Sequence, residues 1–344
     1  MPQRVFISDC EGPISKNDNA FELAKHFIPD GGSFFKLLSR YDDVLAFILR
    51  RPSYSAGYTL KLLVPFLIAY GATNESITMF SRKNMSLIRD AGIALKQIRH
   101  NLPAYIVSTS YSPYIDALCT VLAFPKEHTF STSLDLDAFS LATKEMQMLQ
   151  ELRGEMLNCP SIEIPDGAQD IEDLSPSTRR TVARLDAIFC DELPETQMGE
   201  ILEEIHPIGS TEKARAVADI TEDLDLSCDR VFYVGDSITD AEVLRMVKDS
   251  GGVAVSFNGN RYAVEQAEIS VLSSSLMPIA GLAEIFSKMG RRQVLDFAER
   301  ESSDRFSPLF HTVSLITSKN FEEITSASMA FRREVRGESI ASLG

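Results

Sequence analysis

The run Arg4 to Ser8 (RVFIS) is short, apolar and β-branched, and it stops at an acidic, glycine-containing turn, SDCEG. Such a run reads as a parallel strand buried on both faces that feeds a loop. The signature recurs at Ala104–Val107 (AYIV), Arg230–Val234 (RVFYV) and Gly252–Ser256 (GVAVS), with a fifth strand candidate at Ile269–Leu272. Between the first two runs, from Asn17 to His100, the period changes. FELAKHF, FFKLLSRYDDVLAFILR, YTLKLLVPFLIAY and ITMFSRKNMSLIRDAGIALKQIR carry apolar residues at three- and four-residue intervals, the mark of amphipathic helices. Pro113–Ala123, TEKARAVADI behind an N-cap at Ser210, and ITDAEVLRMVKDS predict further helices. From about Glu127 to Pro207, polar stretches such as IEIPDGAQDIEDLSPS interrupt two helical patterns, Ala142–Leu157 and Pro176–Phe189, which predicts an inserted module or extended loop region. Helical patterns return at Gln293–Glu301 and Phe321–Val335, before a short polar tail from Gly337.

Strands alternating with helices, with apolar strand bodies, predict an α/β fold with a doubly wound parallel sheet. The expected division is a core of residues 1–15, 101–127 and 207–290, a helical cap over 16–100, an insertion or second lid over 128–206, and a C-terminal helical extension over 291–344. In such sheets ligands bind beyond the carboxyl ends of the strands. The polar clusters fall there: Asp9 and Glu11 after the first strand, Ser108, Thr109 and Ser110 after the second, Asp236 after the third, and Asn258 after the fourth, where a turn residue and a pocket wall are both open readings.

Composition narrows the classes. With 344 residues, 44% hydrophobic and 24% charged, the chain has the make-up of a globular protein of about two domains, or of one with large insertions. A formal net charge of −15 opposes binding of nucleic acid and anionic lipid, and it requires that any anionic substrate be met by locally concentrated positive charge. The five cysteines are scattered and never spaced as CxxC, which argues against a zinc site or a disulfide framework and fits a reducing cytoplasm. No secretory signal pattern opens the sequence. The most apolar stretch, Leu62–Ala72, holds Pro65 and is too short to span a bilayer.

Phosphoryl transfer needs a nucleophile in line with phosphorus, a cation on the oxygens and a proton donor for the leaving group. A lone DxEG is a weak signal, because acidic loops after strands are common. Four elements in one order carry the weight: SDCEG at Asp9, IVSTS at Ser108, TEKA at Lys213 and VGDSITD at Asp236. In these motifs the chain resembles the haloacid dehalogenase superfamily, nearest its phosphoserine phosphatase branch, over roughly Arg4–Ile28, Ala104–Phe124 and Ile208–Leu272. The resemblance implies that Asp9 is the nucleophile, forming an aspartyl-phosphate, and that Glu11 is general acid and then base. It implies Mg2+ held by Asp9, the backbone carbonyl of Glu11 and Asp236, with Asp240 as a further ligand or acting behind the metal. Ser108, Thr109 through its amide, and Lys213 would bind the phosphate of a small phosphorylated substrate enclosed by the cap.

Two departures stand out. Glu11 replaces the usual Asp and is longer by one methylene, though a D-x-E-G pattern also occurs in enzymes similar to phosphoserine phosphatases that transfer phosphate to homoserine. The phosphate loop reads Ser-Thr-Ser where that branch tends to have Ser-Gly-Gly, so it must narrow the site or follow another path. Arg50, Arg51 and Arg82 are candidate cap cations for a substrate carboxylate. Hydrolysis, transfer to an organic acceptor, and a non-catalytic subunit with this fold are the competing functions. The insertion and the C-terminal extension leave room for a homo-oligomer or a protein partner.

Overall fold

The computed structural model describes residues 3–165, 167–303 and 311–341; the extension expected over 291–344 therefore lies partly outside the described residues. Seven strands, β1 (Val5–Ser8), β2 (Ala104–Tyr111), β3 (Thr129–Thr132), β4 (Val231–Gly235), β5 (Val253–Phe257), β6 (Ile269–Ser273) and β7 (His311–Leu315), form one sheet in the order β3-β2-β1-β4-β5-β6-β7. All neighbours are parallel except β6 and β7. The fold is a doubly wound α/β sheet, as the strand–helix alternation predicts.

Alternate residues of each strand face opposite layers, and helices cover both. Phe6, Ile106, Phe232 and Val255 pack with Ala94, Ile98, Leu118, Ile279 and Phe286 on one face. Ile7, Val107, Tyr233 and Ala254 pack with Val217, Ile220, Val243 and Leu244 on the other. Burial on both sides is why these strands read as unbroken apolar runs rather than alternating ones. The chain leaves β1 toward β2 and β3, then returns to pair β4 with the other side of β1. The crevice between the carboxyl ends of β1 and β4 is thus the topological switch point, where ligands bind in such sheets.

A third apolar core unites what the sequence divides. Leu23, Phe34, Leu63 and Phe66 from the first helical segment pack with Leu149, Leu185, Ile201 and Leu202 from the second. The segments expected as a cap (16–100) and a separate insertion (128–206) therefore share one helical module. Two boundaries also move. Helix Ala91–Asn101, expected in the cap, packs on the sheet through Ala94, Leu95 and Ile98. β3 extends the sheet past the expected core boundary at residue 127; its residues TFST are mostly half-buried at the sheet edge and carry no apolar run. Ser210 is the first residue of helix Ser210–Asp223 rather than its N-cap, a position held by Gly209 without a side-chain bond. The pattern at residues 77–99 is broken into helices Asn74–Asn84 and Ala91–Asn101, with Asp90 in the left-handed region at φ 63°.

Candidate active site

The sheet brings Asp9 and Asp236 to adjacent strand ends. β1 and β4 run in register from Val5 against Val231 to Ser8 against Val234, and the Asp9 amide continues the ladder to the Val234 carbonyl at 2.8 Å. Asp9 Oδ1 accepts from the Cys10 amide at 2.6 Å, and Oδ2 lies 2.8 Å from Lys213 Nζ. Burial pushes the Asp9 carboxyl up to about 7; Lys213 opposes that rise, while Asp240 and Asp236 add to it.

Lys213 is wholly buried and also lies 2.8 Å from Asp240 Oδ1. Burial alone would lower its pKa, but Asp240 and Asp9 hold it above the ordinary lysine value, so it stays charged. Asp240 Oδ1 also accepts from the Tyr233 hydroxyl at 2.7 Å. Its Oδ2 accepts from the amides of Asp236 and Ser237 at 3.0 and 3.1 Å and from Ser237 Oγ at 3.2 Å. A carboxylate offers about four lone-pair sites. Asp240 is thus saturated, bracing Lys213 and the turn after β4.

Glu11 accepts from the Asn19 amide at 2.7 Å. Burial, with the nearby charge of Asp18, raises its carboxyl well above the usual range. Gly12, at φ +96°, lets the loop pass the Asp236 carboxylate, where any Cβ would overlap it.

β2 runs on to Tyr111, so Ser108, Thr109 and Ser110 sit within an irregular stretch of strand rather than in a loop after Val107. This is the different path the Ser-Thr-Ser sequence demands. Ser108 Oγ accepts from the Ser110 amide at 3.2 Å, and the Thr109 carbonyl accepts from Thr132 Oγ1 at 2.6 Å. The Thr109 hydroxyl is shielded from solvent and has no hydrogen-bond partner among the described residues.

Asp9, Glu11, Ser108, Thr109 and Asp236 line one cavity of about 110 Å³. Asp42, Gly57, Thr59 and Leu60 of the helical module form its roof. Lys213, expected on the phosphate, is not among the lining residues; its contacts are Asp9 and Asp240. The candidate cap cations are elsewhere as well. Arg51 pairs with Asp186 at 2.6 Å, Arg50 donates to the Phe47 carbonyl at 3.2 Å, and Arg82 is exposed. Asn258, at φ +49°, exchanges hydrogen bonds with the Ser273 backbone at 2.8 and 2.9 Å, which makes it a turn residue joining β5 to β6.

The cations of the cavity come instead from helix Phe321–Arg336. Among the described residues, Arg332 and Arg336 are the only lysine or arginine side chains lining it. Arg332 Nη1 donates to the Asp236 carbonyl at 3.1 Å and to its carboxylate Oδ2. Arg336 Nη1 donates to the same Oδ2 at 2.8 Å, and its other nitrogens bind the carbonyls of Lys16 at 3.0 Å and Asn17 at 2.5 Å. Sequence reasoning missed both residues. The i,i+4 spacing of the two arginines on an amphipathic helix places both on one face but does not by itself mark them as site residues.

Whether the residues suit a divalent cation can be judged from their chemistry. Asp9, Asp236 and Asp240 bring carboxylate oxygens within 4.8 Å of one another. With Asp240 saturated, Asp9 and Asp236 are left as the carboxylate donors of this cluster, and oxygen donors of this kind are what magnesium or calcium takes. Both guanidinium bonds to the Asp236 side chain fall on Oδ2.

Neither a family model nor a curated protein sequence matches the chain. Among solved structures, gene product AF1437 of Archaeoglobus fulgidus is similar over 99% of each chain, at 26% identity and a TM-score of 0.84. The shared architecture therefore takes in the C-terminal helix as well as the sheet. A phosphoserine phosphatase in apo form matches 81% of this chain and 98% of its own at 11% identity and a TM-score of 0.48. A HAD family hydrolase of Salmonella enterica subsp. enterica serovar Typhi matches 77% and 67% at 10% identity and a TM-score of 0.46. No described helix is long and apolar enough to cross a membrane.

Proposed function

We propose that the protein is a phosphomonoester hydrolase of the haloacid dehalogenase type, acting on a small phosphorylated metabolite through an aspartyl-phosphate on Asp9. One observation carries this reading: two carboxyl groups raised by burial but differently partnered, Asp9 on the Lys213 ammonium and Glu11 on the Asn19 amide, line the same cavity. Such divergence separates a nucleophile from an acid.

In the first step an Asp9 oxygen forms a bond to phosphorus while the ester P–O bond breaks, and the leaving oxygen takes the proton of Glu11. In the second, the ionised Glu11 takes a proton from water as that water attacks the phosphorus. The bond to Asp9 breaks and inorganic phosphate leaves. Ser108 and Thr109 orient the phosphoryl oxygens. Lys213 favours the ionised form of Asp9, opposing the rise that burial, Asp240 and Asp236 impose on it. Magnesium, held by Asp9, the Glu11 carbonyl and Asp236, would supply neutralisation of the phosphoryl charge. A cavity of about 110 Å³ favours a small substrate.

Phosphate release from a panel of phosphorylated metabolites, assayed with magnesium and with added alcohol acceptors, tests the proposal. Turnover of one compound well above the rest supports it. A phosphorylated acceptor in place of free phosphate reassigns the enzyme as a transferase, and inactivity toward the whole panel favours a binding role.

A further inference from the structure

The site's acidity sets a problem that Lys213 does not solve. Six carboxyl groups, those of Asp9, Glu11, Asp18, Asp42, Asp43 and Asp236, line the cavity, whereas Lys213 does not. A phosphoryl dianion entering there meets like charge, and its oxygens need donors that reach into the cavity. The described cationic donors at that surface are Arg332 and Arg336.

The two arginines are bonded differently. Arg336 is fully engaged: Nε, Nη1 and Nη2 each have a partner, and two of these are carbonyls of the Lys16–Asn17 loop that follows the Glu11 turn. It ties the C-terminal helix to the loop that carries the chemistry. Ser328, one turn before Arg332 on this helix, adds a hydrogen bond to the Gly259 carbonyl at 2.6 Å. Among the described residues, Arg332 is held only through Nη1, to Asp236. Its side chain is 4% exposed, yet its Nε has no partner. A charged donor buried without an acceptor is costly, more so than a neutral one. The Thr109 hydroxyl, on the wall of the same cavity, also lacks a partner.

From this we infer that Arg332 is a ligand of the substrate's phosphoryl group, delivered from the C-terminal helix and aimed by its bond to Asp236. The inference rests on the phosphohydrolase reading and adds to it a phosphate-binding cation outside the four sequence motifs. A guanidinium donates to phosphate oxygens in a charge-assisted geometry that a lysine ammonium reproduces only as a point charge. The alternative is that the Arg332–Asp236 contact is an ion pair of the fold and nothing more.

The probe is inorganic phosphate, titrated calorimetrically into the full-length protein in magnesium buffer. Arg332→Gln is expected to weaken phosphate binding by at least about tenfold, and Arg332→Lys to fall between it and the wild type. A folded Arg332→Gln protein that binds phosphate as tightly as the wild type overturns the inference. Because the glutamine variant removes a buried charge that pairs with Asp236, the wild type supplies a second readout that does not depend on the variant folding. With arginine labelled at Nε, the Arg332 Nε–H resonance, assigned by its loss in Arg332→Lys, should shift when phosphate is added; an unmoved resonance under saturating phosphate equally overturns the inference. The two readings fail separately. Wild-type protein that binds phosphate through Arg332 but turns over no phosphomonoester leaves Arg332 as an anion ligand and ends the hydrolase reading.

Discussion

Lys213 and Asp9 form an ion pair with 2.8 Å between Nζ and Oδ2, and no part of the lysine side chain reaches solvent. The same ammonium lies 2.8 Å from Asp240, so one cation serves two buried carboxylates. Removing one partner from a buried ion pair leaves an uncompensated charge and typically costs about 3–5 kcal/mol. Lys213→Met should therefore lower the unfolding free energy by roughly that much, as read by chemical denaturation. Adding Asp240→Asn to Lys213→Met should restore part of the loss. A single variant as stable as the wild type would show that the pair does not hold the site together.

Asp9 and Glu11 should separate under conservative substitution. Asp9→Asn should abolish phosphoryl transfer, because a neutral amide does not attack phosphorus. Glu11→Gln keeps the nucleophile but removes the proton donor and the base, a loss of about two to four orders of magnitude for general acid–base catalysis. With an activated ester such as p-nitrophenyl phosphate, which needs little protonation, the phosphoenzyme should form and persist. Mass spectrometry of the quenched Glu11→Gln protein should then find phosphate on the peptide containing Asp9. Phosphate on Cys10 or Ser108 would reassign the nucleophile.

The raised carboxyl of Asp9 makes a prediction about pH. Its folded value of about 7 lies above the ordinary aspartate value of about 3.9. A group raised in this way favours folding most when protonated, so its contribution is complete below about pH 4 and is lost as pH rises through about 7. Above pH 7 the ionised group, set among Asp236 and Asp240 with Lys213 as counter-charge, opposes folding. The melting difference between Asp9→Asn and the wild type should accordingly move in the variant's favour as pH rises from about 4 to 8, with Asp240 still left to pair Lys213. Phosphoryl transfer should show the reverse trend, declining as pH drops through about 7 and the nucleophile takes up its proton. A melting difference that does not change with pH would mean Asp9 is not perturbed.

Gly12 is placed where two demands meet: φ is +96°, and a Cβ would overlap the Asp236 carboxylate. Gly71, also at positive φ (+80°), has open space where its Cβ would stand. An alanine at a position that needs positive φ destabilises by more than about 1 kcal/mol from backbone strain. Gly71→Ala should show that strain alone. Gly12→Ala should show it together with loss of the Asp236 position, so only Gly12→Ala should lower phosphate binding or turnover by about a hundredfold or more. Equal effects in the two variants would remove the argument that Gly12 makes room for Asp236.

Much of this architecture was legible in the linear sequence because burial on both faces leaves a strong local mark. Four apolar runs, each ending in polar residues, located β1, β2, β4 and β5, and the order of the motifs around Asp9, Ser108, Lys213 and Asp236 pointed to one crevice. β3 and β7 were not seen. β3 is a short edge strand of mostly polar residues, and β7 is the antiparallel strand at the other edge, so neither is read from an apolar run. The cap and the insertion looked separate because periodicity reports which face of a helix is apolar and says nothing about which other helix covers it.

The sequence by itself determined the parallel sheet, the carboxyl-end placement of Asp9 and Asp236, and the chemistry available to them, since these follow from residue type and short-range pattern. Tertiary structure alone decided which cations serve the site. Arg332 and Arg336 stand roughly a hundred positions from Asp236, and nothing local distinguishes them from the solvated arginines of any amphipathic helix. They become site residues only because the C-terminal helix packs against the carboxyl end of the sheet, where burial excludes water and leaves Asp236 as their partner. Packing likewise set Lys213 against Asp9 and Asp240, for a wholly buried ammonium must be matched by the carboxylates within its reach.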